Sequence, residues 1–157
     1  MTMSRAILCL FLLWGTVAAL PAQLVAPPAP PAWDRIVIAP MRTSIYVGSV
    51  ALTTEPFVRN GMNLSSRYDA KVRPWFFWGE TGTITMVMTD AGLATLARGE
   101  RTEFTGEAAN HKNKPRKVTG HADPADATSG RIKVKIMADG IELIFNGTYK
   151  LEKAEGK

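Results

Sequence analysis

The chain has 157 residues, a formal net charge of +5, 46% hydrophobic residues and one cysteine. That length suits one domain behind a leader. Mild basicity fits life near anionic envelope polymers or lipid head groups and is too weak to imply nucleic acid.

Residues 1–22 carry one positive charge at Arg5, an apolar run from Ala6 to Leu20 and the exit Pro21-Ala22. This pattern predicts a secretory signal peptide cut after Ala22, with Ala19 as a second candidate. The alternative is an uncleaved anchor, but Pro21 and Gln23 cut the run short of the roughly 20 residues a spanning helix needs. Cys9, the single cysteine, sits inside the apolar run. Cleavage would leave none, which excludes a disulfide framework, a thiolate zinc site and a cysteine nucleophile. An exported, cysteine-free domain with no stable membrane span points to the periplasm or surface of a bacterium.

Residues 23–34 form a Pro/Ala-rich linker. Within it LVAPPAPPAW (Leu24–Trp33) should be extended polyproline II, a spacer or simply a disordered leader. Residues 35–153 read as the β domain, and 154–157 as a frayed polar tail.

Period-two patterning dominates the domain. Ser44 to Thr54 reads as one strand, rich in β-branched residues and ended by Glu55-Pro56. Asn60-Gly61 marks a turn. From Asn63 to Val72, Leu64, Ser66, Tyr68, Ala70 and Val72 share one face, and Ser65, Arg67, Asp69 and Lys71 the other. Ile84, Met86 and Met88 face inward along the next strand. Thr89-Asp90 through Arg98-Gly99 carries the start and stop signals of a two-turn helix, with Leu93, Leu96 and Ala97 as its apolar stripe. Strands resume at Arg101–Ala108, Arg116–Ala122 and Arg131–Met137. Asp123–Gly130 reads as turn chemistry and Asp139-Gly140 as a tight hairpin. Ile141–Leu151 is the last strand, with a bulge expected at Gly147. The sum is an all-β domain, a single antiparallel β-sandwich or small β-barrel of about seven or eight strands with one short helix.

Two stretches are candidates for binding. Trp75-Phe76-Phe77-Trp78, flanked by Arg73 and Glu80, cannot put four aromatics on one strand face. The cluster either plugs the end of a small core or forms an exposed platform for a sugar, a lipid or a protein. The second stretch holds His111, Lys112, Lys114, Arg116, Lys117 and His121 with no acid among them. Lys114 and Arg116 should share a face and Lys117 take the other. It reads either as an anion patch or as a solvated hairpin whose cations guard a sheet edge.

Catalysis has little support. No nucleophile-elbow, HExxH or phosphate-loop motif occurs. His121 and Asp123 could share a strand face, but two ligands fall short of a zinc site. Glu80, Glu103, Glu107 and Glu142 are the carboxylates available for glycoside chemistry, and nothing in the sequence pairs them. No cofactor and no metal is expected.

The segment Lys114-Pro-Arg-Lys-Val-Thr119-Gly120 resembles the turn before a strand in the lipocalin-like periplasmic proteins that bind polyisoprenoid lipids. Those too are exported, cysteine-poor all-β chains with a short helical insertion. The resemblance implies a carrier of a small lipophilic ligand and assigns no residue a role. The first expectation is therefore a non-enzymatic binding or interaction module of the cell envelope, meeting a polymer, lipid or protein through Trp75, Phe76, Phe77 and Trp78 with help from Lys114, Arg116 and Lys117. The alternative is a closed-barrel carrier, its pocket lined by Tyr68, Ile84, Met86 and Phe104.

Overall fold

The computed structural model describes residues 33–153; the predicted signal peptide, nearly all of the linker and the polar tail lie outside them. Ten antiparallel strands follow in order: β1 (Arg35–Ile38), β2 (Met41–Ile45), β3 (Gly48–Thr54), β4 (Phe57–Asn60), β5 (Asn63–Arg73), β6 (Glu80–Val87), β7 (Thr102–Asn110), β8 (Pro115–Pro124), β9 (Ser129–Ala138) and β10 (Ile141–Glu152). A 3-10 turn (Phe76–Trp78) joins β5 to β6, and helix α1 (Asp90–Ala97) joins β6 to β7.

The sheet closes on itself, which decides for a barrel and against a sandwich. Strands β2, β3, β5, β6, β7, β8, β9 and β10 form an eight-membered ring, and β1 and β4 are two extra strands. β1 and β2 both pair with β10, and β3 and β4 both pair with β5. Each couple is thus one kinked stave of an up-and-down barrel. The kinks fall at Ala39-Pro40 and Glu55-Pro56. Ala39 and Glu55 still donate to Thr148 O and Arg67 O, both at 3.0 Å. Proline, having no N–H, then drops the ladder.

One end of the barrel is shut. Alternation turns Leu64, Ile84, Met86, Phe104, Val118, Val134, Phe145 and Tyr149 inward, and they fill the interior. α1 lies over this end with Leu93 and Leu96 buried. Thr89 Oγ1 caps it, accepting from Gly92 N at 3.1 Å. The same closed end holds β1 and β4, and Arg59 of β4 pairs with Asp90 at the helix start. The outer face carries Arg67, Lys71, Glu103, Glu107, Lys117, Arg131, Lys133 and Lys135 along the strand middles. That is not the apolar band of a lipid-facing barrel.

Three local expectations fail. Ser44–Thr54 is not one strand: Tyr46-Val47 turn the chain between β2 and β3, and Gly48 follows at φ +115°. A Cβ there would lie 2.0 Å from Arg73 O, so the turn requires glycine. Gly147 is no bulge, because β10 and β9 keep register through it, Gly147 opposite Ile132. Its missing side chain makes room for Met41, whose Cγ would stand 2.6 Å from a Cβ. Ala97 is exposed; the stripe of α1 narrows to Leu93 and Leu96.

Candidate functional site: the open mouth of the barrel

The end opposite α1 is open. Strand β5 runs three residues beyond Ala70, its last partner on β6, so residues 74–79 must descend across the rim to reach Glu80. A cavity of about 490 Å³ lies there. Its lining divides by strand. Ile45 of β2, Val50 of β3, Ala70 and Val72 of β5, and Ile141 and Leu143 of β10 make a continuous apolar wall. Glu80 of β6, Asn110 at the end of β7, the 111–114 turn, Arg116 of β8 and Asp139 of the β9–β10 hairpin make a polar one. Phe77 and Trp78 stand between the two walls. Below the mouth a void of about 30 Å³ reaches Tyr68, Ile84 and Phe145, and the interior beyond it is packed.

The polar wall is built around one buried cation. Arg116 points inward because Val118, Gly120 and Ala122 share its face of β8, and it is only 7% exposed. One end of its guanidinium meets Glu80 Oε2 at 3.1 Å and another meets Asp139 Oδ2 at 3.0 Å. Its Nε is buried without a partner. Glu80 also accepts from Tyr68 Oη and from Asn110 Nδ2, both at 3.0 Å. Asn110 holds the backbone as well. Its Oδ1 accepts from the N–H groups of Lys112 (3.0 Å) and Lys114 (2.9 Å), which shapes the rim turn. Lys114 Nζ pairs with Asp139, and Asp139 sits at φ +49° in the tight turn before Gly140.

These contacts set the charges. Burial works to raise the pKa of Glu80, but the hydrogen bonds from Arg116, Asn110 and Tyr68 outweigh it and hold it below the ordinary value. Arg116 and then Lys114 bring Asp139 down to about 2. Burial, reinforced by the Glu80 charge, pushes the Tyr68 phenol well above its usual value. Glu80, Asp139 and Arg116 are therefore ionised at neutral pH, and the Tyr68 phenol is protonated.

Three rings of the aromatic segment gather here. Phe77 and Trp78 are 66% and 60% exposed, so they do not act as a core plug. Trp78 stacks on half-buried Trp75 at 5.2 Å and meets Phe77 edge-on at 5.7 Å. Lys114 and Arg116 face the cavity, and Lys117 points to the outer surface. β8 is paired on both sides, so these cations guard no sheet edge. Of the residues expected to line a carrier pocket, Tyr68 and Ile84 touch the small void, whereas Met86 and Phe104 are sealed in the packed interior. Sequence reasoning misses the apolar wall of Ile45, Val50, Val72 and Leu143, since alternation marks a residue as inward but not whether its level of the barrel is filled.

The carboxylates do not converge. Glu103 and Glu107 lie on the outer face of β7, and Glu142 is on β10 beside Lys135 at 3.5 Å. Of these four glutamates only Glu80 is in the mouth, where it shares Arg116 with Asp139. His121 and Asp123 do share an outer face, 3.6 Å apart, with Arg101 on the same carboxylate. Among the described residues no three His, Cys, Asp or Glu gather to hold a metal. Three grooves on the outside of the sheet, of about 650, 520 and 510 Å³, are comparable in volume to the mouth. They are lined by outward residues such as Thr85, Thr83 and Thr105 and are furrows of a twisted sheet, without the mouth's division into apolar and charged walls. Compared with family models, curated proteins and solved structures, the chain matches none.

Proposed function

We propose that this chain is a non-catalytic binding domain, exported to the bacterial envelope, that takes a small, partly apolar ligand in the open end of its barrel. The observation that carries the reading is the two-sided mouth: an apolar wall facing a charged wall across about 490 Å³. Ligand sites are concave, mostly apolar and supplied with a few placed polar groups, at roughly 300–1,000 Å³, and barrel mouths are a common place for them. The exposed Trp78 ring at the lip fits a surface that closes over a guest. This joins the two sequence expectations, because the aromatic segment and the cationic turn belong to one site.

Native mass spectrometry of the gently purified chain tests the proposal. A mass above the bare chain that disappears on denaturation is the expected result. A bare mass, both as isolated and after incubation with a membrane-lipid extract of the expression host, would count against a small-ligand site.

A further inference from the structure

The charge count at the mouth narrows the guest. Three cations line it, Lys112, Lys114 and Arg116, against two carboxylates, Glu80 and Asp139. The carboxylates are already engaged: Glu80 by Arg116, Tyr68 and Asn110, and Asp139 by Arg116 and Lys114. Lys112 has no ion pair, and His111 beside it has no side-chain partner among the described residues. The carboxylates of the polar wall are thus satisfied within it, Arg116 Nε is left without an acceptor, and one positive charge remains at the rim, on the turn that Asn110 shapes. Across the gap, Ile45, Val50, Val72, Ile141 and Leu143 offer only hydrocarbon.

Resting on the reading of the mouth as a ligand seat, we propose that its guest is a single-chain amphiphile with a monoanionic head, a fatty-acid carboxylate. Its chain lies along the β2–β3–β5–β10 wall under Trp78, and its head pairs with Lys112. A volume in the lower part of the ligand-site range suits one chain. One unneutralised charge suits one negative charge. A cationic head would meet Lys112 and Arg116 with like charge, and a head without charge would leave Lys112 unpaired.

Calorimetric titration of the full chain, stripped of lipid, with ligands of equal chain length tests this. Decanoate is expected to bind about three- to tenfold more tightly than 1-decanol at low salt, and decyltrimethylammonium more weakly than either. Acetate, which has the head without the chain, is expected not to bind. The gap between decanoate and decanol should shrink as salt screens the rim pair. Lys112→Gln, at an exposed position, should abolish that gap and leave decanol binding unchanged. Leu143→Asn should weaken both ligands together. Equal affinity for decanoate and decanol, or a gap that survives Lys112→Gln, overturns the carboxylate while leaving the mouth a ligand seat. Failure of all three decyl ligands also overturns it; the broader reading then stands if native mass spectrometry finds a guest of other chemistry and falls if it finds none.

Discussion

Removing the Glu80 carboxylate tests whether the charged wall is a structural unit. In Glu80→Ala, Tyr68 Oη, Asn110 Nδ2 and Arg116 Nη2 all lose their acceptor. Asn110 cannot turn to compensate without releasing the backbone of the rim turn. Arg116 keeps only Asp139, whose side chain is 57% exposed and therefore screened by water. Breaking a buried pair costs about 3–5 kcal/mol. With Glu80 itself 22% exposed, about 2–4 kcal/mol is expected, which lowers the melting temperature by roughly 10 °C in a domain of this size. Glu80→Gln should cost only about 1–2 kcal/mol. Its amide oxygen can face Arg116 and Asn110, and its NH2 can donate to a reoriented Tyr68 hydroxyl, so that only the charge is lost. Urea titrations at pH 7 measure both values, and an unchanged m shows that the unfolded state is not altered. The pH profile is a second readout. Glu80 has a lowered pKa in the fold, so its contribution is present above the unfolded value of about 4.3 and is lost as pH falls below it. The acid limb of wild type should be steeper than that of Glu80→Gln by up to about 1.4 kcal/mol per pH unit. A Glu80→Ala protein within 1 kcal/mol of wild type, or an identical acid limb in Glu80→Gln, would refute the reasoning.

Other outcomes follow from the same geometry. Trp78→Ala, at a ring 60% exposed, should change stability by less than about 1 kcal/mol in a urea titration yet reduce the fraction of ligand-bound chain in native mass spectra. Leu93→Ala removes a fully buried side chain at the closed end and should cost about 2–5 kcal/mol, measured by denaturant unfolding, with no effect on decanol affinity at the other end. Burial raises the Tyr149 phenol to about 12, with Asp126 and Asp123 adding to it. The stability held by neutral Tyr149 is therefore complete below about pH 10 and is lost as pH rises from there through 12. Tyr149→Phe should flatten that alkaline limb, and an unaltered limb would assign it to another group, Tyr68 first.

Much of the fold was legible because alternation is a local signal. Leu64–Val72, Ile84–Met88, Thr102–Ala108 and Ile132–Ile136 each declare an inward face that the barrel uses. Capping chemistry at Thr89 likewise marks α1. What failed to show depends on distant partners. Gly48 belongs to a turn because Arg73 O crowds it, and Gly147 is small because Met41 crosses it. The choice of barrel over sandwich turns on β1 and β2 meeting β10, as Ile36 meets Leu151 and Arg42 meets Asn146, more than 100 residues apart. The site follows the same division. Trp75–Trp78 and the 111–117 cations stand out by composition. Their meeting at one rim, and the pairing of Arg116 with Glu80, arise only when the ring closes.

The kinked stave of β1 and β2 has a bearing on how the molecule is made. Its lower half pairs Arg35 with Glu152, and its upper half reaches β10 at a single registered pair. The first strand of the domain can meet β4 early, but it meets its longer partner only when the last strand exists. A chain passing N-terminus first through a pore or leaving a ribosome has no closed barrel until β10 emerges. Contacts of such sequence separation slow folding toward milliseconds to seconds. In an up-and-down barrel joined between its first and last strands, the other ladders can form early, but the ring is completed only after β10 is in place.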